Sequence, residues 1–121
     1  MATQMQLARQ GKITEVMAAV AKAEGMAPEA LREKVAAGTV AICANVNHTS
    51  LRPFGFGEGL STKVNANIGT SSAFPDLEPE LAKLDAAIAA GAHAVMDLST
   101  GDNIDASRRA IIERSTVAVG T

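Results

Sequence analysis

The fold is decided by the run Thr62-Lys63-Val64-Asn65-Ala66-Asn67-Ile68, then Leu77, Leu81, Leu84 and Ile88 at helical spacing, then Ala94-Val95-Met96-Asp97-Leu98. A second helical stretch, Ile104 to Arg114, and a last run, Thr116-Val117-Ala118-Val119-Gly120, complete it. The short apolar and β-branched runs predict strands, and the three-and-four spacing of the leucines predicts a helix over Leu77 to Ala90, closed by Gly91. Ile104, Ala110 and Ile111 supply the apolar face of the next helix. Strand, helix, strand, helix, strand means parallel strands joined by crossover helices, because a tight turn cannot join a parallel pair. A parallel sheet is stable when both faces are covered and tolerates a bare edge poorly. With its third strand ending beside Thr121, this sheet is expected to be unfinished, to be completed by an oligomer or, the favoured reading, by the rest of a larger protein.

Upstream, Gln4 to Gly38 reads as three short helices punctuated by Gly11, Gly25 and Gly38. Thr14 suits the N-cap of the second, and Pro28 with Glu29 suits the first turn of the third. Val16, Val20, Leu31 and Val35 form apolar stripes on helices too short to persist without packing. Thr39 to Ala44 predicts a strand, and residues 45–61 a loop whose Gly55-Phe56-Gly57-Glu58-Gly59 run reads as turn formers. A phosphate-cradling loop would need a strand before those glycines and a helix directly after, and an apolar stretch follows instead. The organisation expected is therefore a helical region with a short strand and loop over 1–61, then βα units over 62–121.

Composition narrows the class. The chain has 121 residues, 47% hydrophobic and 20% charged, which fits one globular domain and excludes intrinsic disorder. Only 2% is aromatic and alanine dominates, so the core is expected to be thin. A net charge of -2 without a long run of like charge lacks the footprint of a nucleic-acid binder. Cys43 is the single cysteine, which rules out an internal disulfide or a site built of cysteines and fits a reducing, cytoplasmic setting. No apolar stretch reaches the roughly 18 residues of a membrane span, and the first residues resemble no secretion leader.

In parallel α/β folds, functional groups gather at the carboxyl ends of strands. This singles out Asn65, Asn67, Gly69, Thr70 and Ser71 after the first parallel strand, and Met96, Asp97, Ser99, Thr100 and Gly101 after the second. Buried asparagines need hydrogen-bond partners, whether from a ligand or from neighbouring loops. Asp97 suits either a general base or an acceptor of backbone N–H groups from the turn that follows it. Ser99 and Thr100 precede a helix N-terminus, where an anion could bind. His48 and His93 have no second ligand at metal spacing and read as structural or surface residues, and Arg108-Arg109 reads as a solvated face.

Lys63-Val64-Asn65-Ala66-Asn67-Ile68-Gly69 and Val95-Met96-Asp97-Leu98-Ser99-Thr100-Gly101 resemble the paired signatures of the phosphomethylpyrimidine synthase family of radical S-adenosylmethionine (SAM) enzymes. Ala8 to Thr14, Glu29 to Gly38, Ala44 to His48 and Ser115 to Thr121 resemble the same family's text in the same order. The resemblance implies an α/β fold in which N-terminal helices precede the first two and a half βα units of a truncated (β/α)8 TIM-type barrel. It implies a carbon–carbon lyase of thiamine biosynthesis that converts aminoimidazole ribonucleotide to hydroxymethylpyrimidine phosphate with a [4Fe-4S] cluster, S-adenosylmethionine and zinc, in a homodimer. Asn67 and Met96 match the family's substrate contacts. No catalytic or metal-binding residue is expected among these 121, since the family's cluster cysteines and zinc histidines lie downstream, and the chain by itself is not expected to be active.

Where the family commonly has proline, asparagine, aspartate, histidine and proline, this chain has Cys43, Thr70, His93, Asp105 and Ala118. Two alternatives stand beside this reading. One is a hydroxybenzimidazole synthase of anaerobic cobamide lower-ligand synthesis, a sister group acting on the same nucleotide. The other is a truncated, non-catalytic nucleotide-binding paralogue.

Overall fold

The computed structural model describes residues 2–121. The chain divides into two units, one of residues 2–44 with Pro53–Thr62, the other of Asn45–Arg52 with Lys63–Thr121.

The first unit packs three helices, α1 (Gln4–Arg9), α2 (Glu15–Ala23) and α3 (Pro28–Ala37), against a hairpin of β1 (Val40–Cys43) and β2 (Phe54–Gly57). The helix ends follow from local chemistry. Thr3 and Gln6 cap α1 reciprocally, and the Thr14 hydroxyl accepts the Met17 N–H at 3.1 Å at the start of α2. Pro28 occupies the first turn of α3, and Gly11, Gly25 and Gly38 all carry the positive φ expected after helix ends. The core is Ala8, Met17, Val20, Ala21, Leu31, Val35 and Val40; Val16 is only half-buried, and Met17 and Ala21 take its place.

The antiparallel β2 corrects the expectation of a loop with turn-forming glycines over 45–61. Gly55 lies inside this strand because a Cβ there would come within 2.9 Å of both Val20 Cγ1 and Leu60 Cδ1. The glycine permits close approach of strand to helix, a requirement set in part by Val20, 35 positions away in sequence.

In the second unit β3 (Asn65–Ile68), β4 (Ala94–Asp97) and β5 (Ala118–Gly120) form a parallel sheet in the order β3-β4-β5, connected by α4 (Leu77–Ala89) and α5 (Ile104–Arg114). The α/β pattern is the expected one, with each strand shorter than its apolar run. Ile68, Val95, Leu81, Leu84 and Ile111 form the core, joined by half-buried Ala66, Leu77, Ile88, Ala110 and Val119. Ile104 is half-buried and stands outside that cluster. Arg114 clasps Asp85 through Nε at 3.0 Å and Nη2 at 2.5 Å, tying the end of α5 to α4 and holding the Asp85 carboxyl below the usual carboxylate range. The pair is exposed, so its share of the stability is small.

Residues 45–52 join this unit through the end of α5. The His48 Nε2–H and the Ser50 hydroxyl both donate to the Ser115 carbonyl at 2.8 Å, and the Arg52 N–H donates to the Thr116 carbonyl at 2.9 Å. A carbonyl only accepts, so His48 carries its hydrogen on Nε2. No described helix is long and apolar enough to cross a membrane.

Leu84 is fully buried between helix and sheet. Leu84→Ala is expected to lower unfolding free energy by about 2–5 kcal/mol, read as a lower urea midpoint or loss of the cooperative transition. Leu98→Ala, at a site 52% exposed, is expected to leave it within about 0.5 kcal/mol.

Candidate functional site

Strand alternation sorts the sheet into two faces. Ala66, Ile68, Val95 and Val119 point toward the helices and enter the core. Their neighbours Asn65, Asn67, Ala94, Met96, Ala118 and Gly120 therefore belong to the opposite face, which no helix of this unit covers. The register pairs Asn67 with Met96 and Met96 with Gly120, so the two residues singled out as substrate contacts stand side by side on adjacent strands. The Met96 thioether lies over Gly120, where a Cβ would sit 3.3 Å from the sulfur.

The asparagines are not buried, contrary to the expectation attached to an apolar strand. Asn65 and Asn67 are exposed on the open face, and Asn65 Nδ2 donates to Asn67 Oδ1 at 3.3 Å. That bond occupies the Asn67 carbonyl oxygen and uses neither N–H of its exposed amide. An amide donor beside a polarisable thioether is suited to a flat, polar heterocycle, with hydrogen bonding at the edge and dispersion over the ring.

Past the strand ends, a polar network joins the β3–α4 and β4–α5 loops. Asp97, 1% exposed, accepts both the Ser99 N–H at 3.0 Å and the Ser99 hydroxyl at 2.5 Å through Oδ1. This is the turn-holding role considered for Asp97. Ser99 Oγ in turn accepts the Thr70 N–H at 3.1 Å, and the Thr100 N–H donates to the Thr70 carbonyl at 2.9 Å. Ser99 and the Thr100 amide are thus occupied within the loops, and α5 begins only at Ile104, so the two do not form the anion site considered for its N-terminus. Arg108 is half-buried, correcting its reading as a solvated residue: its Nε faces Asp97 Oδ2 at 3.7 Å, too far for a hydrogen bond.

Sequence reasoning missed Glu80. It is 2% exposed in the first turn of α4, accepts the Gly69 N–H at 2.7 Å and pairs with Lys83. The faint available signal was an acid adjoining Leu81 at the start of an amphipathic helix. Gly69 itself has φ +150°, and a Cβ there would meet the Leu98 carbonyl carbon and Ser99 nitrogen at 2.6 Å. His93 is structural: its Nδ1 accepts the Val64 N–H at 3.1 Å, while its own N–H donates to the Val64 carbonyl at 2.9 Å.

The model matching this sequence is that of the Radical SAM ThiC family, over residues 3–121. The chain belongs to that family. A phosphomethylpyrimidine synthase from Desulforamulus reducens is 60% identical over 119 residues, and one from Desulfitobacterium hafniense is 57% identical over the same length. Another from Thermus thermophilus is 55% identical over 120 residues. Each similarity covers 98% of this chain and 28% of the relative, so the chain spans little more than a quarter of the length of these ThiC-family relatives.

Radical SAM chemistry in general uses a [4Fe-4S] cluster with S-adenosylmethionine, and the donor set here does not fit one. Cys43 is the single thiol, on β1, and the described residues contain no group of three or more His, Cys, Asp or Glu able to hold a metal ion. One thiolate cannot replace the cysteine ligands of a cluster. Burial also pushes the Cys43 thiol up, away from its nucleophilic form.

Two results are expected. Cys43 reacts more slowly with iodoacetamide than free cysteine does at mildly alkaline pH, and concentrated urea removes the difference; equal rates in the native chain would contradict the burial. Gly69→Ala lowers the thermal midpoint by several degrees, because both its φ and its 2.6 Å approach forbid a methyl group.

Proposed function

We propose that this chain is the N-terminal part of a phosphomethylpyrimidine synthase of thiamine biosynthesis. The enzyme takes aminoimidazole ribonucleotide to hydroxymethylpyrimidine phosphate as a radical SAM carbon–carbon lyase. Residues 1–61 form its N-terminal helical region, and residues 62–121 supply the first two and a half βα units of a (β/α)8 barrel. The observation that carries this reading is the pairing of Asn67 with Met96 on the helix-free face, near the strand ends, within signatures matching the family from end to end. In a βα barrel the helices surround the strands, so a face turned away from α4 and α5 is an interior face.

On this reading Asn67 donates to the ribose or imidazole of the nucleotide, and Met96 packs on its ring. When bound, the cluster and S-adenosylmethionine supply a deoxyadenosyl radical. These 121 residues contribute no ligand to them, and the iron, zinc and radical chemistry belong to the remainder of a cytoplasmic, homodimeric enzyme. This segment binds and orients substrate and has no turnover of its own. The matched relatives named above all carry the synthase name, which favours the pyrimidine product over a hydroxybenzimidazole.

The test is calorimetric titration of the complete enzyme with aminoimidazole ribonucleotide. Asn67→Ala is expected to weaken binding about tenfold, the loss of one hydrogen bond to a polar ligand, with Met96→Ala showing a similar or smaller loss. Affinities unchanged in both variants would remove the substrate-contact reading.

A further inference from the structure

We propose that Ser99, backed by Asp97, is a positioning residue for the ligand-reading face: it ties the end of β3 to the end of β4 and thereby fixes Asn67 beside Met96. This rests on the reading of Asn67 and Met96 as substrate contacts.

Parallel strands usually part once their ladder ends. Here the ladder continues, with the Leu98 N–H donating to the Ile68 carbonyl at 2.8 Å, and beyond it the Ser99 side chain takes over. Its single hydroxyl hydrogen goes to Asp97 Oδ1 and a lone pair receives the Thr70 N–H. The hydroxyl has no second hydrogen to donate to a ligand, and at 6% exposure Ser99 is buried within the loops, so its influence on the open face runs through the backbone it holds.

All three residues are buried, Asp97 at 1%, Thr70 at 3% and Ser99 at 6%, where a hydrogen bond to a carboxylate is strong and an orphaned N–H is costly. On the other side of the same segment the buried Glu80 carboxylate holds the Gly69 N–H. Residues 69 and 70 are thus gripped from two directions, two and three positions after Asn67. Asn67, by contrast, lies in the open and its side chain bonds to that of Asn65, itself exposed. Its placement depends on the backbone, which the β3–β4 ladder holds at Asn67 itself and this clasp holds just beyond the ladder's end.

Replacing Ser99 by alanine leaves the Thr70 N–H without its acceptor but removes nothing from the open face. In the complete synthase, Ser99→Ala removes two buried hydrogen bonds and is expected to weaken binding of aminoimidazole ribonucleotide by about fivefold to tenfold, the part of their loss that reaches the open face. Ser99→Thr, which keeps the hydroxyl, is expected to restore affinity to within about twofold. The deciding measurement repeats Ser99→Ala in an Asn67→Ala background, where its effect on affinity should vanish. An unchanged affinity for Ser99→Ala alone overturns the proposal, as does an equal loss in both backgrounds. Failure of Asn67→Ala itself to weaken binding overturns the underlying reading instead. Should Ser99→Ala not fold, Asp97→Asn carries the same cycle: it retains an oxygen toward Ser99 but loses the charge that strengthens the bond, with a smaller loss of affinity expected.

Discussion

Everything in the second unit depends on one constraint, a three-stranded parallel sheet with helices on a single side. Because successive side chains alternate, that asymmetry divides each strand into residues that hold the fold and residues free for chemistry. Ile68 and Val95 are committed to the core and cannot take part in recognition. Asn67 and Met96, one position away on each strand, contribute nothing to that core and can be spent on a ligand. A one-residue slip of β3 against β4 would preserve the strands yet separate this pair, so register matters here more than strand identity.

The legible parts of the fold were those governed by neighbours in sequence. Thr14, Pro28 and the glycines after α1, α2 and α3 terminate helices through bonds made within a few residues, and the leucines of α4 reveal their buried face by spacing alone. Strand β2 was illegible because the requirement for Gly55 comes in part from Val20, on α2. The same holds at the site. Its location followed from the general rule about strand ends, and the residue types at 67 and 96 were suggestive. The bond of Ser99 to Thr70 and that of Glu80 to Gly69 were hidden, since they join residues 29 and 11 positions apart. Arg108 was misread for a related reason: adjacency to Arg109 suggests a charged surface, whereas on a helix successive residues face different ways.

The small side chains that make the cores thin also shape how the protein is held together. None of the three phenylalanines belongs to either set of core residues, and the buried set is wholly aliphatic apart from Met17, with valine the commonest. With little apolar area available, buried polar groups such as Asp97, Glu80, Ser99 and Ser115 take on the work of fixing loops to strands. Such groups specify geometry more than they add net stability, because each hydrogen bond largely replaces one made to water.

The course of the chain also constrains how it can be dissected. Residues 45–52 depart from one unit, bond through His48, Ser50 and Arg52 to Ser115 and Thr116, and return to the same unit as β2. Neither unit is a continuous segment, so a simple cut after Thr62 yields two pieces that each carry a defect. The downstream piece loses the groups that saturate the Ser115 carbonyl, and the upstream piece retains a dangling excursion between the strands of its hairpin. A faithful separation would have to graft the excursion onto the second unit and close β1 to β2 with a new turn.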